Sequence, residues 1–595
     1  MREISSPLDG FGSPFGRRRD LLGATAIARL LFSADEPGFF IDADDWSTLF
    51  QDVAGTQPVT APNQGVALAL DKRLGLELGP DRVPESDGSW SFSDPSWSIS
   101  NGVLTSQEPN NITVAQFTVN ALVGQTFTIK FEIFDYVGGQ VRAELQGGGV
   151  DGGITRSANG EYAQYITAAA NRVIFRFIAV GGTGFTGKIR NISVRELKGN
   201  HATQATTAAR PLTAVHPEGG VRNLLDRTEE FDNGAVWLNL FSVPVTPNSD
   251  TAPDGTLSAD TLTDNSDTVF QRIFQTVSVP VNTDFTASVF IKKSADTSTF
   301  PSLRIRRGSS TGAFIGDCVL NKQTGAIAQR GTPTSINVEE VADYWRVSIT
   351  GNSGSVAQIT VELVPAASTD FVNTSEAATG SSVFWGAQLE LGSEATPYQR
   401  RVNFLDVTEA GKKSIRRLWF NGTSHFMQTP VITPNTDKAQ AFAGVRALDL
   451  TSSGSADIGM LLEIGGTSFN AITIQAPPAT SGRVRFSHAG DTNIRSAEES
   501  GLSSPLSAVL SGISDLGEPK VLLRRDGSQV AQNVDVTGGG VFNPNPAFIG
   551  SQQGTSRSFN GFLDQLITRF GPNLDTTTIE KTEKYVSTKV PEVTL

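Results

Sequence analysis

The chain has 595 residues, a length typical of about three or four domains, and its formal net charge is −13 at pH 7. This acidity argues against a protein that follows a nucleic-acid backbone, which needs a basic surface. A single cysteine, Cys318, excludes an intramolecular disulfide, and no apolar run reaches the roughly 20 residues of a membrane span. Frequent Gly, Thr and Ser between apolar β-formers favour short strands and turns, and therefore an all-β fold.

The N-terminal region, residues 1–87, begins with two proline-containing, turn-like peptides at 6–10 and 13–16. Proline is excluded from helix interiors and central strands, so we expect an extended arm that becomes ordered on another surface. The alternative is a tail without a partner. The apolar run 21–32 behind Asp20 predicts a short helix. The residues expected to anchor the arm are Pro7, Leu8, Pro14, Phe15, Arg17 and Arg18.

The first 60 residues contain Ser-Pro-Leu-Asp-Gly, then Ser-Pro-Phe-Gly, and then, over 45–60, a peptide with Ser-Thr-Leu-Phe-Gln-Asp and Pro-Val-Thr. This opening resembles the start of a family of tailed-bacteriophage structural proteins. The resemblance implies that the chain belongs to the virion and that its arm docks on other virion proteins. It also implies that glycan-binding-type β-sandwiches follow.

Residues 88–197 show the alternation of half-buried strands. Phe127, Ile129, Phe131 and Ile133 occupy every second position between polar residues, and Ile189–Leu197 forms a closing strand pattern. Glycine-rich turns divide the strands. The pattern predicts a jelly-roll module. The following segment, 198–221, is rich in Ala and Thr and has two prolines, so it is predicted to be a linker.

Residues 222–405 alternate in the same way at Phe285–Ile291, Trp345–Ile349 and Ile359–Leu363. This module is interpreted as a diverged copy of the first. Its motifs, in order, resemble a carbohydrate-binding-module-like jelly roll that is widespread in phage head and tail proteins. The resemblance implies an adhesive or structural role without a reaction, and it rests on Asn223–Leu225, Trp237, Ala252–Thr256, Tyr344–Val347 and Trp385–Glu390.

Residues 406–595 contain a hairpin signature, Val521–Val530, with Asp526-Gly527 at its turn. With the later Phe559–Ile567 segment, this order is similar to laminin G-like, concanavalin A-type lectin sandwiches. Thr577 and Glu580 have capping-box spacing and predict a C-terminal helix.

No catalytic residues are predicted. Asp42, Asp44 and Asp45 are crowded as in a solvated loop, and no Gly-x-Ser-x-Gly elbow accompanies a histidine. No EF-hand-type loop is visible, so metal ligands stay unknown. We therefore expect a protein that is not an enzyme and has no cofactor, with a structural calcium ion left open by the jelly-roll resemblance.

Glycan binding needs exposed aromatic rings that stack on the apolar faces of sugars. The candidates by residue type are Trp90, Trp97, Tyr136 and Trp237, and the alternative for each is a buried core ring.

These features predict an all-β chain of tandem jelly-roll/β-sandwich domains with a short extended and helical N-terminal anchor. The predicted function is a virion fibre or receptor-binding appendage that adheres to host surface polysaccharide. A homo-oligomer is expected, with a trimer as a frequent arrangement of such fibres. Two alternatives stay open: a head or tail decoration protein without a ligand, and a glycan depolymerase.

Overall fold

The computed structural model describes residues 23–108, 111–180, 182, 184–448, 459–465, 471–475, 482–518 and 520–595. Within these ranges the fold is β throughout, apart from short 3-10 turns and two α-helices near the ends, α1 (Ala24–Leu31) and α2 (Thr576–Ser587). The all-β prediction is confirmed, and so is the short N-terminal helix. The predicted anchoring residues lie outside the described residues: Pro7, Leu8, Pro14, Phe15, Arg17 and Arg18.

The first third of the chain contributes three short strands and then a complete sandwich. The short strands are β1 (Gly38–Asp42), β2 (Leu49–Phe50) and β3 (Leu68–Ala69). The sandwich, here called the first jelly roll, consists of β4 (Leu78–Asp81), β5 (Ser91–Phe92), β6 (Trp97–Ser100), β7 (Val103–Glu108), β8 (Val114–Ala121), β9 (Thr126–Gly139), β10 (Val141–Gln146), β11 (Val150–Gly152), β12 (Gly160–Thr167), β13 (Arg172–Ala179) and β14 (Phe185–Leu197).

A second sandwich follows two further short strands, β15 (Ala202–Thr203) and β16 (Leu212–Pro217). We call it the second jelly roll. Its strands are β17 (Leu238–Leu240), β18 (Val245–Thr251), β19 (Leu257–Asp264), β20 (Arg272–Ser278), β21 (Asp284–Lys292), β22 (Phe300–Arg307), β23 (Phe314–Leu320), β24 (Ile327–Gly331), β25 (Ser335–Val341), β26 (Tyr344–Asn352), β27 (Gln358–Ser368) and β28 (Gly380–Leu391).

The two jelly rolls share one strand order. In the first, the facing sheets run β7-β14-β9-β12 and β8-β13-β10-β11; in the second they run β19-β28-β21-β26 and β20-β27-β22-β23. In both jelly rolls the chain crosses between the two sheets in the same order, and extra strands are added at the edges. The apolar residues of the predicted alternation, such as Phe127 and Ile129 or Phe285 and Ala287, fill the space between the sheets. The interpretation of the two modules as diverged copies thus agrees with their topology.

The third sandwich is built from distant parts of the chain, and we call it the composite sandwich. Its C-terminal strands are β29 (Gln399–Asn403), β30 (Asp406–Glu409), β31 (Ser414–Asn421), β32 (Met427–Ile432), β33 (Lys438–Ala447), β34 (Met460–Ile464), β35 (Ala471–Gln475), β36 (Arg483–Ala489), β37 (Ile494–Ser500), β38 (Leu506–Asp515), β39 (Lys520–Arg525), β40 (Ser528–Asn533), β41 (Asn545–Ile549) and β42 (Asn560–Phe570).

Five earlier strands complete the composite sandwich. One sheet contains β16 beside β31, and β1 beside β42; the other begins β2-β3-β15-β32. Segment 198–221, predicted as a linker from its Ala, Thr and Pro content, therefore contributes one strand to each sheet. Thr is a strand former, and Pro217 stands at the last position of β16, where proline is tolerated.

Both helices cover the outer face of the sheet that holds β1 and β42. Ile27 and Leu31 of α1, and Tyr585 of α2, pack on Phe40 and Ile567. As predicted, residues 521–530 form a hairpin, in which Asp526 and Gly527 both have positive φ. The predicted C-terminal helix is also present, but its cap is Asp575, which accepts from the Thr578 backbone N–H at 2.8 Å, and Thr577 lies inside the helix.

Candidate functional site

Two of the predicted sugar-stacking rings are core residues. Trp97 is buried and its indole N–H donates to Thr113 Oγ1 at 2.8 Å. Trp237 is fully buried, packs edge-on against Phe231, and donates to the Arg227 carbonyl at 2.9 Å. A ring enclosed on both faces cannot stack on a ligand, so the structure corrects the prediction at both positions.

Tyr136 and Trp90 lie closer to the surface of the first jelly roll. Tyr136 is half-buried, and its hydroxyl donates to the Gly139 carbonyl at 2.9 Å, which holds the ring along its own strand. Trp90 packs edge-on against Phe117 at 4.8 Å and is largely buried, yet it lines an open cleft. Trp90 therefore borders a cavity of a size that could hold a ligand.

Two adjoining clefts form a groove on the first jelly roll. The first, about 700 Å³, is walled by Trp90 and Ile99, with Asp87, Asn101 and Arg190 as polar groups. The second, about 460 Å³, lies over the outer face of the β9, β12 and β14 sheet. Asn191 lines both clefts, so they meet at this residue. The lining of the second cleft includes Lys130, Glu132, Glu161, Tyr162 and Asn191.

A break in β14 places Asn191 at the centre of the groove. The register of β14 with β9 shifts between Arg190 and Ser193, and Asn191 has φ +54°. Such a bulge turns one residue away from the pleat, and Asn tolerates the left-handed conformation better than most residues. The Asn191 amide donates to Glu132 Oε2 at 2.9 Å. The bulge thus presents a polar side chain between the two clefts.

Arg190 and Glu132 form an ion pair in the groove. The Arg190 guanidinium makes a two-pronged contact with Glu132, at 2.8 and 2.7 Å, and lies 4.3 Å from the centre of the Phe134 ring. Hydrogen bonds from Arg190 hold the pKa of the Glu132 carboxyl below its usual value. Glu161 is the direct cross-strand neighbour of Glu132. The floor therefore offers donors and acceptors in a fixed arrangement beside an aromatic ring, which suits hydroxyl-rich ligands.

The sequence prediction missed Lys130, Glu132, Glu161, Arg190 and Asn191. One local signal was present: the core residues Ile189 and Val194 are five positions apart, an odd number that breaks the two-residue period and marks a bulge. The outward-facing charges carried no signal of their own, because any exposed strand face is polar.

A third cleft, about 410 Å³, lies on the corresponding sheet of the second jelly roll. It is lined by Asn337 and Glu339 of β25, by Arg346 and Ser348 of β26, and by the loop at 393–395. Arg346 donates to the Thr396 carbonyl at 2.6 Å, which ties the strand to the loop that forms one wall. Both jelly rolls thus carry polar clefts, and these clefts lie on the two sheets that correspond to each other in the shared strand order.

In the described part of the chain, no group of three or more His, Cys, Asp or Glu side chains is arranged to hold a metal ion. Across the same residues, no helix has both the length and the apolarity needed to cross a membrane.

No family model matches the sequence, and no curated protein matches it significantly. Among solved structures, the CBM40 domain of Ruminococcus gnavus IT-sialidase bound to α2,6-sialyllactose is similar at 12% identity and TM-score 0.20, over 25% of this chain and 84% of that chain. The CBM22-1–CBM22-2 tandem of Paenibacillus barcinonensis Xyn10C is similar at 7% identity and TM-score 0.21, over 53% and 98%. Mouse laminin α1 domains LG4-5 are similar at 11% identity and TM-score 0.21, over 55% and 93%. These neighbours are carbohydrate-binding modules and laminin G-like domains, but TM-scores this low support no conclusion about ligand.

Proposed function

We propose that this chain is a non-enzymatic glycan-binding appendage of a tailed-bacteriophage virion. In this proposal the N-terminal arm docks on other virion proteins, and the jelly rolls contact host surface polysaccharide. The observation that carries the glycan-binding part is the groove of the first jelly roll, where two clefts meet at Asn191. Two open clefts that share a lining residue and contain hydrogen-bonding groups suit an extended polymer better than a small compact ligand.

The second jelly roll supports the same function because it carries a polar cleft on the corresponding sheet. Two weak sites on one chain, repeated over several copies of the chain, would give strong adhesion through effective concentration. A homo-oligomer, such as a trimer, would serve this purpose.

The packing of the two helices supports a base-and-projection arrangement. Helix α1, which follows the predicted arm, and helix α2 both pack on the composite sandwich. The two jelly rolls are inserted into that sandwich between its own strands. A composite base near the particle would therefore leave the jelly rolls free for contact with a host.

The charge state of Glu132 argues against one catalytic role for this carboxyl group of the groove. A glycosidase of the common kind needs one carboxyl group that stays protonated as a general acid. Arg190 lowers the pKa of Glu132, so this carboxylate stays ionised at neutral pH and is unsuited to that part. The ionised Glu132 carboxylate, held by Arg190, is instead suited to accept hydrogen bonds from ligand hydroxyls.

The test is a glycan array with the purified full chain and three variants. Arg190→Gln and Asn191→Gly change the groove, and glycine keeps the positive φ at 191. Arg195→Gln is the matched control, because Arg195 is an exposed arginine of the same strand that pairs with Asp81 and does not line the groove. We expect polysaccharide binding by the wild type and the control, and a loss of about tenfold or more in each groove variant.

An array without a bound glycan, or groove variants that bind like the control, would overturn the glycan-binding proposal in favour of a structural decoration protein. Release of reducing ends from a bound polysaccharide would instead identify a depolymerase. Labelling of the chain in an intact particle would test the virion assignment separately.

A further inference from the structure

The second jelly roll carries a row of alternating charges on the sheet opposite its cleft. Glu362, Arg304, Asp317 and Arg330 are successive cross-strand partners on β27, β22, β23 and β24. All four side chains face away from the sandwich core, since the core residues Leu303 and Cys318 occupy the alternate positions. The row therefore forms a charged layer on the outside of this sheet.

Positive charge exceeds negative charge in this layer. Glu362 is contacted by Arg272 at 3.2 Å, by Arg306 at 2.9 Å and by Arg304 at 3.8 Å. Asp317 is contacted by Arg304 at 3.0 Å and by Arg330 at 3.8 Å. Four guanidinium groups thus share two carboxylates, and a formal charge of +2 is left over.

Part of this positive charge is poorly hydrated. Arg304 is 2% exposed, and its guanidinium lies between the rings of Phe270 and Phe314, 5.3 Å from each centre. The buried Nε atom of Arg304 has no hydrogen-bond partner among the described residues, whereas the Nε atom of Arg272 lies 3.2 Å from Glu362 Oε2. Burial lowers the pKa of Arg306, and Arg304 and Arg272 lower it further against the opposing effect of Glu362. The layer would be stabilised by one more anion.

The edge of this layer nearest the solvent consists of Arg306, Arg330 and Phe314, and we call it the arginine rim; the Arg306 side chain is 12% exposed. Phe314 is 37% exposed, and the Arg330 side chain is 46% exposed. The Arg306 guanidinium stacks on Phe314 at 3.8 Å and donates to the Gly312 carbonyl at 2.9 Å. The Arg330 guanidinium lies 5.9 Å from the centre of the same ring and donates to Thr374 Oγ1, and each of the two guanidinium groups has further N–H groups.

We propose that the arginine rim binds an oxyanion, namely a carboxylate, sulfate or phosphate group. The planar donor fork of arginine matches the oxygens of such groups, and the excess charge beneath the rim adds electrostatic attraction. This site is separate from the groove of the first jelly roll and does not depend on the function proposed for that groove. Two sources share the required chemistry: a free inorganic anion and an acidic saccharide.

The test is titration calorimetry of the full chain at low ionic strength with three probes: sodium sulfate, oligogalacturonate and neutral maltotriose. Arg330→Gln and Arg306→Gln remove one rim charge each. Arg400→Gln is the matched control, an exposed arginine of β29 outside the arginine rim that also contacts two carboxylates. Thermal unfolding of every variant checks that the fold is kept.

We expect oligogalacturonate to bind the wild type and Arg400→Gln. Its binding affinity should fall about tenfold in each rim variant and should also fall as the salt concentration rises. Binding of sulfate with the same sensitivity to the rim variants would identify a general oxyanion site, whereas oligogalacturonate alone would identify an acidic-saccharide site. The proposal fails if neither anion binds, if maltotriose binds equally well, or if both rim variants bind like the control.

Discussion

Asp42 and Gln565 are 523 residues apart in the chain and are direct cross-strand partners: the Gln565 amide donates to Asp42 Oδ1 at 3.1 Å. The same amide nitrogen donates to the Tyr585 hydroxyl at 2.9 Å. The first strand, the last strand and the last helix are thus joined through one side chain. The composite sandwich is therefore complete only when both ends of the chain are in place.

Replacing Phe40 tests whether strand β1 stabilises that sandwich. Phe40 is fully buried and contacts the Tyr585 ring edge-on, with centroids 6.1 Å apart. We expect Phe40→Ala to lower the free energy of unfolding of the composite sandwich by about 3–5 kcal/mol, because a large cavity forms. Urea denaturation followed by circular dichroism measures this. Val137→Ala, at a side chain that is 78% exposed, is the control and should change little. A loss below about 1 kcal/mol for Phe40→Ala would contradict the prediction.

The first jelly roll should fold by itself. The chain enters and leaves it at one point, where Leu78 pairs with Leu197 and the Lys198 N–H donates to the Glu77 carbonyl at 3.1 Å. We expect a fragment of residues 78–197 to be soluble and to melt cooperatively, since its core is its own. Calorimetry of the fragment and of the full chain checks this. A fragment without a cooperative transition would show that the jelly roll depends on the composite sandwich.

Acid should destabilise the composite sandwich through His488. Burial lowers the pKa of this imidazole to about 4, and its Nδ1 lies 2.7 Å from Ser514 Oγ. Below pH 6.5 the unfolded chain takes up a proton at this residue, whereas the folded chain stays neutral, so falling pH favours unfolding. Between pH 6.5 and 5.0 we expect the wild type to lose about 2 kcal/mol more than His488→Gln. Urea unfolding at both pH values measures the difference, and parallel losses in the two proteins would refute it.

Cys318 should be inert in the native chain. It is fully buried, and burial raises the pKa of its thiol to about 12. We expect no reaction with a thiol reagent at pH 8 and full reaction in urea, because the thiolate is the nucleophile. Leu303→Ala opens a cavity at its cross-strand partner and should speed the labelling. Because the chain has one cysteine, labelling reports on the second jelly roll alone. Rapid labelling of the native wild type would contradict the prediction.

The jelly rolls were predictable from the sequence because their signal is local. Phe127, Ile129 and Phe131 alternate within one strand, and all of them face the core. Strand β1 gives no such signal: helices cover one of its faces and the second sheet covers the other, so every position from Gly38 to Asp42 is buried. β2, β3 and β15 are two residues long, too short for a period to show. β2 pairs with the nearby β3, but β3 pairs with β15 and β15 with β32 across long stretches of sequence, where no local pattern points to the partner.

The candidate site was less predictable than the fold. Residue type favours Trp97 as a sugar platform, but its register opposite Ser106 turns it inward. Trp90 could be selected by type, whereas its position beside Asn101 and Arg190 depends on how separate strands meet. The bulge at Asn191 interrupts the two-residue alternation of β14, but the sequence pattern does not indicate which side chain the bulge presents.

The split origin of the composite sandwich has a consequence during protein synthesis. Strand β1 leaves the ribosome early and must wait for β42, which is made more than 500 residues later. At typical elongation rates this delay is roughly 25 to 100 s. The jelly rolls have time to fold in that interval, while β1 stays without its partner β42. Nascent chains stalled before residue 560 should therefore depend on chaperones, and faster translation should raise the yield of native protein.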